Sequence, residues 1–158
     1  MTGRPEPPPS GADPRTDPRT DPGTIHASCV AVDGRGLLIL GPSGSGKSSL
    51  ALRLMAHGAR LVADDRCLVQ PRDGRLIASS PPTLSGLIEA RGLGILRADP
   101  LAEAPLVLAV DLGQSETERL PPRRQFEVHG IALDLALGPL SDHLVVSLLQ
   151  HLRCGRQA

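Results

Sequence analysis

From residue 25 onward the chain alternates short apolar runs with glycine-centred breaks, the pattern of a strand-rich domain. Residues 29–32 and 37–40 are apolar and flank Asp33-Gly34-Arg35-Gly36, which predicts two strands joined by a tight turn. The second run, LLIL, is apolar on both faces, as a strand inside a sheet requires. It leads into GPSGSGKSS at 41–49, and the following residues put Leu50, Leu54 and either Ala51 or Met55 on one helical stripe. Gly58 suits the end of that helix. Residues 61–63 read as a short strand closed by Asp64 and Asp65, and 67–70 with 76–78 as a hairpin turning at 71–74. The Ser/Pro-rich stretch 79–86 predicts no regular element, 84–89 a helical turn, and 91–94 a glycine-rich break. Further on, the pattern predicts a strand at 105–111, an exposed loop at 116–125, strands at 126–128 and 131–137 paired around His129-Gly130, and a helix at 140–152. The expected fold class is α/β, with a mixed sheet and few helices.

Residues 1–24 belong to a different compositional zone. They hold seven prolines and the run DPRT-DPRT-DPGT, with little apolar surface to offset the entropy of ordering. A disordered or polyproline-like tail is expected there, and a single domain over 25–158. Seventeen acidic residues balance 17 basic ones, which argues against a coat for nucleic acid or anionic lipid. One Phe (Phe126) with no Trp or Tyr argues against base stacking. No run of about 18 apolar residues suggests a membrane span. Cys29, Cys67 and Cys154 lack metal-ligand spacing, so a cytoplasmic protein with reduced thiols is expected.

The charge inventory has one outlier. Sixteen arginines accompany a single lysine, Lys47, and it falls inside the glycine-rich segment. Residues 41–48 satisfy G-x-x-x-x-G-K-[ST] in full, with an apolar strand before and an amphipathic helix after. In such a loop Gly41, Gly44 and Gly46 let backbone N–H groups close on phosphate oxygens, with Pro42, Ser43 and Ser45 between them. Lys47 reaches the outer phosphates, Ser48 can sit on magnesium, and Ser49 continues the helix start. Nucleotide binding follows, but the motif alone does not separate kinase, hydrolase and switch.

Asp64 and Asp65 stand at the C-terminal end of a strand, the edge where open α/β sheets bind ligands. One carboxylate there suits a hard cation, and a second could take a proton from a hydroxyl nucleophile. A solvated turn, or a metal role without base chemistry, uses the same residues.

The segment GPSGSGKSSLALRLMAHGARLVADD, preceded by HASCVAVDGRGLLI and followed by LIEARGLGIL, resembles the catalytic domain of the bacterial HPr kinase/phosphorylase family. The likeness runs from about residue 25 to residue 111 and resembles the short form associated with alphaproteobacteria. It implies a nucleotide core like that of phosphoenolpyruvate carboxykinase and an ATP- and magnesium-dependent protein serine kinase. The substrate implied is an HPr-like phosphocarrier, with reverse phosphorolysis in many members and hexameric assembly. By the same resemblance Asp64 matches the general base, Asp65 and Glu89 the metal network, and Ser48 the magnesium hydroxyl. Arg91 matches an arginine near the transferring phosphate, His26 a histidine supporting proton handling, and Arg119 a later loop arginine. A P-loop ATPase or small-molecule kinase, and a nucleotide-dependent regulatory binding protein, are the alternatives.

Overall fold

The computed structural model of the chain describes residues 23–158, and of the tail expected over 1–24 all but the last two residues lie outside the described residues. The elements run β1 (Thr24–Ile25), β2 (Ser28–Val32), β3 (Arg35–Leu40), α1 (Lys47–Ala56), β4 (Arg60–Ala63), β5 (Cys67–Arg72) and β6 (Arg75–Ser79). They continue as β7 (Leu87–Ala90), β8 (Gly94–Arg97), β9 (Glu103–Ser115), β10 (Arg124–Val128), β11 (Ile131–Gly138) and α2 (Asp142–Cys154). Thr24, assigned to the tail by composition, instead pairs with Leu68 in β1 and is buried.

Nine strands share one mixed sheet. Its spine is β1-β5-β6-β9-β3-β2-β4, with β11 beside β9 and β10 beside β11. β3 and β11 both run parallel to β9, and antiparallel hairpins flank this centre. Three of those hairpins close on two residues with positive φ: Asp33-Gly34, Asp73-Gly74 and His129-Gly130. That is the turn whose twist matches a two-residue β-connection.

The run LLIL is central because its two faces serve two cores. Leu37 and Ile39 join the cluster that holds Leu50, Leu54, Leu149 and Leu152 from the helices. Leu38 and Leu40 join a cluster built from strands, with Cys67, Val69, Leu76 and Phe126. Helix α1 buries Leu50, Ala51 and Leu54, and Met55 packs at the margin. Ser141 caps α2 by accepting the Leu144 N–H at 3.0 Å, and Asp142 ties that end to Arg53 of α1 at 2.7 Å.

The helical turn expected at 84–89 is absent. A single 3-10 turn covers Pro82–Leu84, and residues 87–90 form β7, paired antiparallel with β8. Helix formers in LIEA are overridden by tertiary structure: Ile88 is buried against α1, and the Glu89 N–H is drawn to a carboxylate. β9 also extends beyond its apolar run, to Glu103 and Ser115. No helix of the described residues is long and apolar enough to cross a membrane.

Candidate active site

Leaving β3, the chain turns through 41–46 into α1. Gly41, Gly44 and Gly46 have φ of 148°, 85° and 104°, where an L side chain is strained. Space is also closed at Gly46, where a Cβ would stand 2.9 Å from Leu140 Cδ2. The first turn of α1 has no acidic residue and no side-chain cap, so its positive end suits an anion. Lys47 is 7% exposed and donates to the carbonyls of Gly41 at 2.9 Å and Pro42 at 3.3 Å. Burial pushes its ammonium below the usual range, opposed by the carboxylates of Asp65 and Asp64. Backbone donors, a helix terminus and an ammonium converge on one place, and that donor set fits a polyphosphate.

The two acids beyond β4 are placed differently. Asp64 is 8% exposed, and its Oδ1 accepts from Ser28 Oγ at 2.8 Å and from Ser48 Oγ at 2.7 Å. Its Oδ2 accepts the backbone N–H of Glu89 at 3.0 Å. Three donors thus hold a buried carboxylate beneath the helix start, which is how such a charge is tolerated. Asp65 turns the other way because its φ is 67°, a left-handed conformation uncommon outside glycine. Its N–H is held by Ser28 Oγ at 3.2 Å and its carbonyl by the Ala27 N–H at 3.1 Å. The Asp65 side chain then meets His26 Nε2 at 2.6 Å, both groups being substantially exposed.

A cavity of about 260 Å³ opens over this arrangement. Ser43, Gly44, Gly46, Lys47, Ser48 and Ser49 form one wall. Asp65 enters from a second side, and Glu89 and Arg91 from the β7–β8 hairpin. The structure therefore brings together the loop, the acids and the hairpin, segments that are far apart in sequence. Arg119 is not among them. It lines a separate cavity of about 510 Å³ bounded by β11 and α2. The loop carrying it is pinned at its base, where Arg124 bonds Glu116 at 3.0 and 2.9 Å.

Ser28 was not among the expected site residues. It is fully buried, and one hydroxyl both donates to Asp64 and accepts from Asp65. A lone polar residue inside an apolar strand was the available signal. Asp111 was read as the end of a strand; its carboxylate accepts from the Gly113 N–H and from Gln114, shaping the segment that packs on Pro42. The thiols have no part in the cavity. Cys29 and Cys67 are buried, and the neighbouring Cys67 thiol together with burial holds Cys29 well above the usual thiol range.

The architecture is a mixed α/β domain in which a glycine loop, a strand-end acid pair and an acidic-basic hairpin enclose one cavity. A family model described as the HPr Serine kinase C-terminal domain matches residues 20–101, which contain every one of those parts. The chain belongs to that family. Among similar proteins, the HPr kinase/phosphorylase of Clostridium tetani is 46% identical over 86 residues, 54% of this chain and 28% of that protein. The HPr kinase/phosphorylase of Lacticaseibacillus casei is 47% identical over 74 residues, 46% of this chain and 23% of that protein. The chain thus spans about a quarter of the length of these curated relatives. A solved structure of the Hpr(Ser) kinase/phosphatase from Coxiella burnetii superposes with a TM-score of 0.70 at 29% identity. That likeness covers 82% of this chain and 93% of the other.

Proposed function

We propose that the chain is an ATP- and magnesium-dependent protein serine kinase acting on an HPr-like phosphocarrier, with reverse phosphorolysis at the same site. The observation that carries this reading is the division of labour between the two acids. Asp64 binds the hydroxyl of Ser48, while Asp65, one residue on, lines the cavity with its Oδ1 2.6 Å from His26 Nε2. A site built only to hold a metal and phosphates has no need of the second, separately held carboxylate.

In this reading residues 41–49 cradle the triphosphate, and Lys47 faces its outer oxygens. Ser48 and Glu89 are the groups that would hold magnesium, directly or through water, with Asp64 orienting the Ser48 hydroxyl and Asp65 bordering them. Bound magnesium would supply charge neutralisation on the phosphates. No three His, Cys, Asp or Glu side chains among the described residues form a closed metal cage. An ion shared between a hydroxyl, carboxylates and phosphate oxygens suits that composition.

In this reading the base is Asp65, where the resemblance names Asp64. Asp64 is buried and already accepts from two hydroxyls and an N–H inside the protein, which suits a positioning group. Asp65 retains an oxygen for the proton of an incoming serine hydroxyl, and in reverse it returns that proton to the serine oxygen. His26, with the proton on Nε2, donates to Asp65 Oδ1 and fixes its direction. Arg91 faces the transferred phosphoryl group from the hairpin. Arg119 lies outside this cavity and takes no part in this reading.

The same reading includes a nucleotide core like that of phosphoenolpyruvate carboxykinase, a hexameric assembly and a cytoplasmic location. Incubation with labelled ATP, magnesium and purified HPr tests the activity. Label on an HPr serine, removed again by inorganic phosphate, is the expected result. Release of phosphate to water alone would favour the ATPase alternative.

A further inference from the structure

The β7–β8 hairpin does more than contribute Glu89 and Arg91. Residues paired across an antiparallel ladder share a face of the ribbon. The pairs Ile88↔Leu96 and Ala90↔Gly94 therefore lie on one face, and Leu87↔Arg97 and Glu89↔Ile95 on the other. Ile88 is buried in the helical core with Leu96 packed beside it, so the first face is turned inward. The second face looks outward and carries Glu89 at the cavity wall next to Ile95.

That outward face is unusual. Ile95 is 64% exposed and Leu93, in the turn, 76% exposed. Two branched apolar side chains thus stand in water directly beside a charged cavity. They are flanked by Arg91 and Arg97, which are exposed and form no ion pair with a described residue. The hairpin is not a loose flap. Its Glu89 N–H is bonded to Asp64 Oδ2, and its base is closed by the Ala98 N–H to Gly86 O at 2.8 Å. A molecule seated on it is therefore held in register with the two acids.

We propose that this face, Leu93 and Ile95 between Arg91 and Arg97, is the docking surface for the acceptor protein. The inference rests on the kinase reading above and adds the chemistry of the partner's contact. The partner presents its serine beside apolar side chains, which cover Leu93 and Ile95, and beside an acidic group, which meets Arg97, while Arg91 at the cavity edge stays with the phosphoryl group. Burial of an apolar pair next to the reacting centre supplies affinity, and Arg97 supplies orientation. Small-molecule acceptors need no such surface, since the cavity alone would hold them.

The test uses the full chain and purified HPr as probe, comparing wild type with the double variant Leu93→Ser, Ile95→Thr. Calorimetric titration gives HPr affinity, a parallel titration gives MgATP affinity, and light scattering gives self-association. The inference expects HPr affinity about tenfold or more weaker, with MgATP affinity unchanged. Arg97→Glu should weaken HPr binding as well, and added salt should weaken the wild-type complex. Equal HPr affinity in wild type and double variant overturns the inference, as does absence of HPr binding to wild type. Loss of self-association with HPr affinity intact also overturns it, because the face is then a contact between copies of this chain. Phosphate transfer is scored separately. HPr binding that depends on the hairpin, without transfer by wild type, keeps the docking surface and removes the kinase reading.

Discussion

Ser28 Oγ donates to Asp64 Oδ1 at 2.8 Å while accepting the backbone N–H of Asp65 at 3.2 Å. One hydroxyl on β2 therefore sets the angle between two consecutive acids. Ser28→Ala removes a donor from a buried carboxylate and strands an N–H. It should cost about 1–3 kcal/mol in stability, measured by denaturant unfolding. Ser28→Thr keeps the hydroxyl on a strand-compatible side chain and should recover most of the loss. Equal stability for the alanine variant would show that the clamp is dispensable.

Gly46 joins two constraints, a φ of 104° and the methyl of Leu140 at 2.9 Å from where a Cβ would stand. Gly46→Ala should lose about 1–2 kcal/mol from backbone strain and weaken nucleotide binding more than that strain alone explains. Pairing it with Leu140→Ala relieves the contact but leaves the strained φ. The double variant should regain nucleotide affinity only in part, which titration with MgATP would reveal.

Acid should loosen the late loop. The Arg124 guanidinium holds the Glu116 carboxyl down at about 2, against an ordinary value of 4.5. A depressed carboxylate contributes stability that is complete above its ordinary value and fades as the pH falls from there toward 2. Glu116→Gln should therefore be less stable than wild type at neutral pH and converge with it in acid. Thermal unfolding of both proteins across that range decides the matter; parallel curves at every pH would mean that the pair contributes nothing.

His26 contacts Asp65 and no loop residue in a hydrogen bond. His26→Ala should lower phosphate transfer by about a hundredfold while leaving MgATP affinity near wild type. His26→Gln, which retains an N–H of similar reach, should do better than alanine. If both variants bind MgATP poorly, His26 serves the nucleotide site and not the acid beside it.

Much of this was legible in the chain, and the exceptions have a common cause. The hairpins at Asp33-Gly34, Asp73-Gly74 and His129-Gly130 announce themselves because the turn demands residues that tolerate positive φ. The loop at 41–48 is legible because G-x-x-x-x-G-K-[ST] is matched in full between an apolar strand and a helix. Nothing local marks residues 87–90 as a strand, since their partner strand and the buried niche of Ile88 are tertiary facts. The orientations of Asp64 and Asp65 were equally hidden. Adjacent acids look alike in a sequence, and the bend that separates them depends on Ser28, 37 positions before Asp65, and on the left-handed backbone of Asp65. Arg119, matched by the resemblance, lines the other cavity.

The sharpest test compares Asp65→Asn with Asp64→Asn in single-turnover transfer from labelled ATP to HPr, alongside MgATP binding. The account predicts that Asp65→Asn binds MgATP much as wild type does and loses transfer by about a thousandfold. Asp64→Asn should be impaired first in stability and magnesium dependence, because an amide cannot replace an acceptor for three donors. Near wild-type transfer by Asp65→Asn would contradict the assignment at its root.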